Sequence, residues 1–158
     1  MKAFRKRGAS FRAEFEPVEA SMLAGLAEQV AELVGARTDN ELDPAVLRLL
    51  PDAYPDDAEA SHEFRRFTAD GLAARKVANA GMLASSLADA AVATSATRVT
   101  IDAQTAQAWL RALTDIRLTI AARLGIERDE DAGADDPALR DLYDWLGFVQ
   151  GSLVEVMD

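Results

Sequence analysis

The sequence predicts a mainly α fold: a compact bundle of about five helices, with a possible small β-hairpin or short β element at the N-terminus. Three observations predict it. Apolar residues recur at three-to-four spacing in several long segments, as on the buried face of a helix. Proline or glycine stands at the ends of these segments, where helices begin and stop. A length of 158 residues with 49% hydrophobic residues suffices for one core, so residues 1–158 are expected to form a single domain.

The first 15 residues are expected to form an extended arm or a short β-hairpin. Phe4, Phe11 and Phe15 alternate loosely about a central Gly8. A helix follows, because Pro17 suits the first turn of a helix and a glycine at position 35 can end it. The apolar positions of this helix recur at three-to-four spacing: Val18, Met22, Leu26, Val30 and Leu33.

Two helical segments are expected between residues 43 and 87. Asp43 and Pro44 are a cap and a first-turn residue for a short helix through Leu50. From about residue 57 the chain then lacks proline until position 137, and apolar residues predict helix to about residue 87. This stretch is interpreted as two helices, or as one helix bent near Gly71 or Gly81.

The second half of the chain contains a strand and two further helices. The β-branched residues between 97 and 101 predict a short strand that could pair with the N-terminal hairpin. Asp102 can cap the next helix, over residues 103–124, which ends at Gly125 and has the most regular apolar face of the chain. Asp136 and Pro137 open the last helix, which continues nearly to the end of the chain.

An acidic segment, residues 127–136, separates the last two helices. Its sequence ERDEDAGADD contains too few apolar groups to bury anything, which predicts an exposed loop. The alternating acids invite comparison with an EF-hand calcium loop. Counted from Asp129, however, glycine is fifth rather than sixth and Arg140 stands where the twelfth-position glutamate belongs. We therefore do not predict a calcium site here.

Charge is unevenly distributed along the chain. The net charge of −10 divides into +5 over residues 1–12, −11 over 13–63, +4 over 64–124 and −8 over 125–158. Two acidic segments therefore flank a basic middle, which is either an ordinary solvated mixture of charges or a patch for an anionic partner. The acidic total argues against a protein that coats DNA or anionic lipid uniformly.

Composition also bounds the cellular setting. The chain contains no cysteine, which excludes disulfides, a thiolate nucleophile and a cysteine-based redox switch or zinc site. The basic N-terminal residues are not followed by the apolar segment of a signal peptide. The apolar runs are well short of the roughly 18 residues that a membrane helix requires. A cytoplasmic protein with no membrane association is expected.

No catalytic centre is recognisable. Glu59 and His62 are spaced as in carboxylate-bridged di-metal bundles, but such sites need a second histidine and His62 is the only one. Ser61 stands beside His62 on a predicted helix, where adjacent side chains point about 100° apart. Nucleophile-elbow and phosphate-binding glycine motifs are absent from the sequence. We expect a protein that is not an enzyme, with no catalytic residue, metal or cofactor.

Arginines in the basic middle are the candidates for partner binding. Their guanidinium groups can hold carboxylate or phosphate with two hydrogen bonds. Arg117 lies near Asp115 at the edge of an apolar helix face, so it could form a structural ion pair, extend past the apolar surface or recognise a partner. The proposed partner-binding residues are Arg65, Arg66, Arg111, Asp115 and Arg117.

Several segments in combination are typical of one bacterial family. They are WLRALTDIRL at residues 109–118, RLGI at 123–126, PDAY at 51–54, EFRR at 63–66 and YDWL at 143–146, together with Asp57, Gln150 and Leu153. On these residues the sequence resembles the bacterial family of domain of unknown function 2017, to which oxidative-stress-responsive regulators of the AosR type belong. Thr114 is a departure, since relatives often carry asparagine there.

The resemblance implies a helical protein with a role in transcriptional regulation under oxidative stress and with no established active site. We therefore expect a non-enzymatic regulatory or adaptor protein that contacts a protein partner, such as a sigma factor or a polymerase-associated regulator. Direct DNA binding through the arginine-rich middle is the alternative, less favoured because of the acidic net charge. A small hydrolase or metal-dependent enzyme built on acidic residues is a weaker alternative. The oligomeric state is left open.

Overall fold

The computed structural model describes residues 1–38, 41–51, 59, 68–128 and 131–158. Within these ranges a three-stranded antiparallel sheet accompanies five helices with defined ends. The strands are β1 (Lys2–Arg7), β2 (Ser10–Phe15) and β3 (Thr97–Asp102). The helices are α1 (Pro17–Gly35), α2 (Pro44–Leu49), α3 (Asp70–Val92), α4 (Ala103–Leu124) and α5 (Pro137–Met157). The predicted mainly helical fold with a small β element is therefore confirmed.

The N-terminal segment is a hairpin rather than an extended arm. β1 and β2 pair antiparallel around a turn in which Gly8 has a φ of +63°, a conformation that favours glycine. β3 pairs with the other side of β2, so the predicted strand after α3 does join the hairpin. The inner face of the sheet is apolar, with Phe4, Phe11 and Phe15 all buried. This face packs on α4 and α5.

Short polar caps connect the strands to the helices. The N–H of Glu16 donates to the carboxylate of Glu19 at 2.8 Å, which closes a capping box at the start of α1 one residue after β2 ends. Asp102 is the last residue of β3, and its carboxylate accepts from the N–H of Thr105 at 2.8 Å. Because these junctions contain at most one residue, the sheet fixes the directions in which α1 and α4 leave it.

The buried face of α1 agrees only in part with the predicted one, since Val30 is buried and Leu26 and Leu33 are half-buried against the core. Val18 and Met22 are 73% and 40% exposed, whereas the buried positions are Ala20, Leu23, Ala27, Val30 and Val34. α1 packs along α3, whose own buried residues include Ala73 and Ala80. Small side chains on both helices allow a close approach, and alanines share the buried face of α1 with Leu23, Val30 and Val34. The helix and the burial of Val30 were predicted correctly, whereas the assignment of Val18 and Met22 to the apolar face was wrong.

α3 provides one wall of the site described below. It runs without interruption through Gly71 and Gly81 and ends at Val92, five residues beyond the predicted end. A wider, π-type turn at Thr68 and Ala69 precedes it. Of the predicted helical residues 57–67, only Glu59 lies inside the described residues, where it is helical and exposed.

α4 is the central helix, with contacts to the sheet and to the other four helices. Trp109 is fully buried on it, and its ring lies 5.4 Å from that of Phe4 and 5.9 Å from that of Phe15. The indole N–H of Trp109 donates to the Ser86 hydroxyl of α3 at 2.8 Å. The helix ends at Gly125, whose φ is +71°, as the sequence predicts.

The described residues of the acidic loop are mostly exposed, as predicted, but the loop is tied at two points. The Asp131 carboxylate accepts hydrogen bonds from the N–H groups of Glu127 and Arg128 at 2.9 and 3.0 Å. The N–H of Ala134 donates to the carbonyl of Leu124 at 2.7 Å, close to the end of α4. Among the described parts of the chain, no helix combines the length and the apolar composition needed to cross a membrane.

Candidate functional site

A groove with a volume of about 630 Å³ runs between α3 and α4. Residues one helical turn apart on each helix form its walls, since positions 72, 75, 76 and 79 share a face of α3 and positions 110, 111, 114 and 115 share a face of α4. We call this the α3–α4 groove. It is lined by Leu72, Arg75, Lys76, Ala78, Asn79, Leu110, Arg111, Thr114 and Asp115.

An ion pair joins the two helices within the groove. Lys76 Nζ donates to Asp115 Oδ1 at 2.7 Å, and the two side chains are 18% and 5% exposed. Burial raises the pKa of Asp115, and the hydrogen bond and charge of Lys76 only partly oppose this effect. The pair neutralises two charges that would be costly to bury singly. It therefore holds α3 against α4 and is not a free pair of charges for a partner.

Two further arginines of the groove are exposed and unpaired. Arg75 and Arg111 make no ion pair or side-chain hydrogen bond with any described residue. Since Lys76 and Asp115 cancel each other, these two guanidinium groups give the described lining of the groove a net positive charge. They stand on opposite walls, and half-buried Leu72 and Leu110 supply apolar surface beside them.

Arg117 lies on a different side of α4, against α5. Its guanidinium stacks over the Tyr143 ring, with Cζ 4.5 Å from the ring centroid, and Nη1 donates to Gln150 Oε1 at 3.2 Å. Gly147 makes room for this group, because a Cβ there would lie 3.2 Å from Arg117 Nη2. The Nε atom is buried without a hydrogen-bond partner among the described atoms. An ion pair between Arg117 and Asp115 is absent from the described contacts, since Asp115 is bonded to Lys76.

Gln150 connects this α4–α5 contact to the groove. Its amide Nε2 donates to the Thr114 hydroxyl at 2.7 Å and to the carbonyl of Leu110 at 3.3 Å, while its Oε1 accepts from Arg117. Arg117 is thus a positioning residue behind one wall of the groove, and it helps to fix α5 against the part of α4 that carries Thr114.

The family model described as a domain of unknown function (DUF2017) matches residues 1–157. The chain belongs to this family. No curated protein and no solved structure matches the DUF2017 chain. The resemblance inferred from the sequence is confirmed at the level of the DUF2017 family, whose description assigns no activity.

The predicted partner-binding residues of this DUF2017 protein fall into three groups. Arg111 and Asp115 line the α3–α4 groove, Arg111 at an exposed position and Asp115 in a buried ion pair. Arg117 lies outside the groove, at the α4–α5 contact. Arg65 and Arg66 lie outside the described residues. The same holds for His62 of the weighed metal pair, and no metal-binding group of three or more His, Cys, Asp or Glu occurs among the described residues.

Sequence reasoning counted Arg75 and Lys76 in the basic middle but did not place them in a site. A usable signal was present, because Leu72, Arg75, Lys76 and Asn79 have the spacing of one helix face. The position of Asp115 was a second signal, since it falls on the face of α4 that contains Ala108 and Ala112, both buried. An acid on a buried face requires a cation from a neighbouring element.

The basic middle does not form one surface in the described part of the chain. Arg123 pairs with Asp43 through two hydrogen bonds of 2.7 and 2.9 Å, which attaches α2 to α4. This pairing holds the pKa of Asp43 below its usual range. Arg98 lies on the sheet and Arg117 against α5. Of the described arginines in the basic middle of the chain, Arg75 and Arg111 lie in the groove.

Proposed function

We propose that this protein is a non-enzymatic regulatory adaptor that binds a protein partner in the α3–α4 groove. The observation that carries the proposal is the pair of exposed guanidinium groups of Arg75 and Arg111, which have no ion-pair partner among the described residues and stand on opposite walls of an open groove. Arginine holds carboxylates with two parallel hydrogen bonds, and the leucines beside it accept apolar side chains. The partner segment expected here carries a carboxylate next to an apolar residue.

The composition of the groove supports binding rather than catalysis. The described part of its lining contains one acid, Asp115, and that acid is bonded to Lys76, so neither group is free to transfer a proton. Among the described residues, neither a histidine nor a serine belongs to the lining, and the sequence contains no cysteine. A groove of about 630 Å³ is large enough for a few side chains of a partner.

The proposed setting is transcriptional control of a stress response in the cytoplasm, with a sigma factor or a polymerase-associated regulator as the partner class. This part rests on the resemblance to AosR-type regulators. The stress signal must be sensed without cysteine chemistry in this chain, which contains no cysteine. Direct DNA binding is less well supported, because the described arginines of the middle are divided among the groove, the sheet, α2 and α5.

The test is affinity purification of the tagged full-length protein from its own host, with and without peroxide, after nuclease treatment. The bait is compared with Arg75→Glu, Arg111→Glu and the control Arg128→Glu, an exposed arginine outside the groove. We expect sigma-factor or polymerase subunits with the parent and the control, and about tenfold less with each groove variant, or about 1.4 kcal/mol. Equal recovery with all baits, or no reproducible partner, would contradict the proposal.

A further inference from the structure

The solvent-facing side of the sheet is strongly basic, in contrast to the chain as a whole. The strand register, which shifts between Lys2 and Arg5 of β1, places one set of residues on this side, and we call them the outer sheet face: Lys2, Arg5, Arg7, Ser10, Arg12, Glu14, Arg98, Thr100 and Asp102. A hollow of about 480 Å³ lies over most of it. The phenylalanines of the hairpin all point to the opposite, buried side.

Two arginines stand directly opposite each other in this sheet. Arg5 of β1 pairs in register with Arg12 of β2, where Cβ atoms are about 4.5–5.5 Å apart and like charges are destabilising. Both side chains are exposed, and neither makes an ion pair or hydrogen bond with a described residue. Arg7, one position further along the same side of β1, also has a side chain without such a partner. The fold therefore keeps an uncompensated repulsion on an accessible surface.

The acids of the outer sheet face do not relieve this repulsion. Glu14 is held by Lys2 at 2.6 Å and also faces Arg98 across the strands, and together these cations lower its pKa, the hydrogen bond from Lys2 most of all. Asp102 is engaged in capping α4. The face carries five cations and two acids, a net +3, so the rest of this chain of net charge −10 carries −13.

We infer that the outer sheet face is a docking surface for a short acidic polypeptide segment of a partner, separate from the α3–α4 groove. Side chains on one side of a strand repeat at about 6.8 Å, the spacing of alternate carboxylates in an extended acidic segment. An arginine guanidinium group binds a carboxylate through two parallel hydrogen bonds. The clustered arginines that repel one another are stabilised when such a segment lies across them.

Nucleic acid fits this face less well. The face offers no aromatic side chain on which bases could stack, since its apolar rings are buried on the inner side. Strands of six residues span about 20 Å, so a duplex would extend past the sheet into the field of the acidic remainder. A short acidic peptide stays within the positive region.

The proposal is tested by fluorescence anisotropy of a labelled 12-residue peptide of alternating glutamate and serine, added to the full-length protein at low salt. We expect saturable binding that weakens as salt is raised. Arg5→Gln with Arg12→Gln should weaken it about tenfold, or about 1.4 kcal/mol. The control, Arg128→Gln with Arg140→Gln, makes the same change in net charge outside both the outer sheet face and the groove, and it should bind like the parent.

Three results would overturn the inference: no binding of the acidic peptide at low salt, equal weakening in the two double variants, or tighter binding of a 20-base-pair duplex than of the peptide. The last result would assign the face to nucleic acid. None of these three results tests the proposal for the α3–α4 groove, which is tested by the single substitutions of Arg75 and Arg111.

A second measurement separates docking from a structural role of the arginines. Arg12→Thr removes the like charge opposite Arg5 and places threonine beside Thr100 of β3. Relief of this repulsion should raise the thermal midpoint by about 1–2 °C. The same variant should bind the acidic peptide more weakly than the parent. A variant that loses stability together with binding would show that Arg12 is structural.

Discussion

Replacing Lys76 by methionine would leave the Asp115 carboxylate buried without its cation. Removing one partner of a fully buried ion pair costs about 3–5 kcal/mol, and the 18% exposure of Lys76 to the groove places the expected loss near the lower limit. We expect the free energy of unfolding to fall by about 3 kcal/mol and the thermal midpoint by about 6–12 °C for a chain of this length. Urea unfolding followed by circular dichroism measures both the loss and any change in slope.

Partner substitutions complete a double-mutant cycle. Asp115→Asn should cost less, about 1–2 kcal/mol, because the amide oxygen can still accept from Lys76 and the ammonium group reaches the groove. Lys76→Met combined with Asp115→Leu should lie within about 1 kcal/mol of the parent, since an apolar pair replaces both charges. Single-variant losses that simply add, with no coupling between the two positions, would refute the description of this contact as a buried pair.

The pH dependence provides an independent check. Because burial raises the pKa of Asp115, the native state binds this proton more tightly than the unfolded state, whose value is near 3.8. The contribution of Asp115 to stability is therefore largest below that value and declines as pH rises through the native pKa. Without Lys76 the pKa of Asp115 in the native state rises further. The loss of unfolding free energy caused by Lys76→Met should therefore become smaller as the pH is lowered from 7 to 4. A loss that does not change over this interval would contradict the argument.

Five further substitutions test contacts elsewhere in the fold by chemical or thermal unfolding. Asp43→Asn keeps the cap of α2 but loses the ion pair to α4, which should cost about 0.5 kcal/mol of stability. Asp43→Ala loses both the cap and the ion pair and should cost about 1.5 kcal/mol. Equal losses in the two variants would exclude a role for the cap. Gly151→Ala, with open space around the new Cβ, should stabilise α5 by about 0.5–1 kcal/mol. Gly147→Ala should be at least about 1 kcal/mol less stable than Gly151→Ala, because its Cβ displaces Arg117. Trp109→Phe loses the indole hydrogen bond and leaves a void, so the thermal midpoint should fall by about 4–8 °C. An unchanged midpoint would contradict the description of Trp109 as a central residue of the core.

The positions of the helices were largely predictable because local chemistry sets helix ends. A proline in the first turn at position 17, an aspartate cap at 102 and a left-handed glycine at 125 act within a few residues, so they can be recognised without knowledge of the tertiary structure. The same holds for the strand around Val99, whose β-branched neighbours favour extended backbone.

The buried faces were less predictable, because they depend on which helix packs opposite. On α1, hydrophobicity alone favoured Val18 and Met22, yet packing against α3 buries Ala20 and Ala27 instead. The family membership came from combinations of residues rather than from any physical pattern, and it is confirmed over nearly the whole chain.

The candidate groove was half predictable. Arg111 and Asp115 were identified on α4 from the sequence. Predicting the opposite wall on α3 requires the knowledge that α3 and α4 are neighbours, which a count of charges along the chain does not provide. Arg117 was weighed as a boundary residue, and its contact with Tyr143 depends on the docking of α5. The outer sheet face was missed because the N-terminal cations were considered as a targeting signal and in the charge count, but were not assigned to one side of a strand. Alternation with Phe11 and Phe15 would have placed Arg12 on the side opposite the core.

The sheet joins parts of the chain that are synthesised far apart in time. β3 pairs with β2 through a register that links Phe15 to Thr97 and Ser10 to Asp102, across 82 to 92 residues. Contacts of such sequence separation form slowly, because the intervening chain must be ordered before pairing can compensate for loop closure. On the ribosome, the hairpin therefore emerges with one edge of β2 unpaired and its phenylalanines uncovered until residue 102 has left the exit tunnel. A nascent chain halted before β3 would be a substrate for chaperones and proteases even though α1, α2 and α3 had already been made.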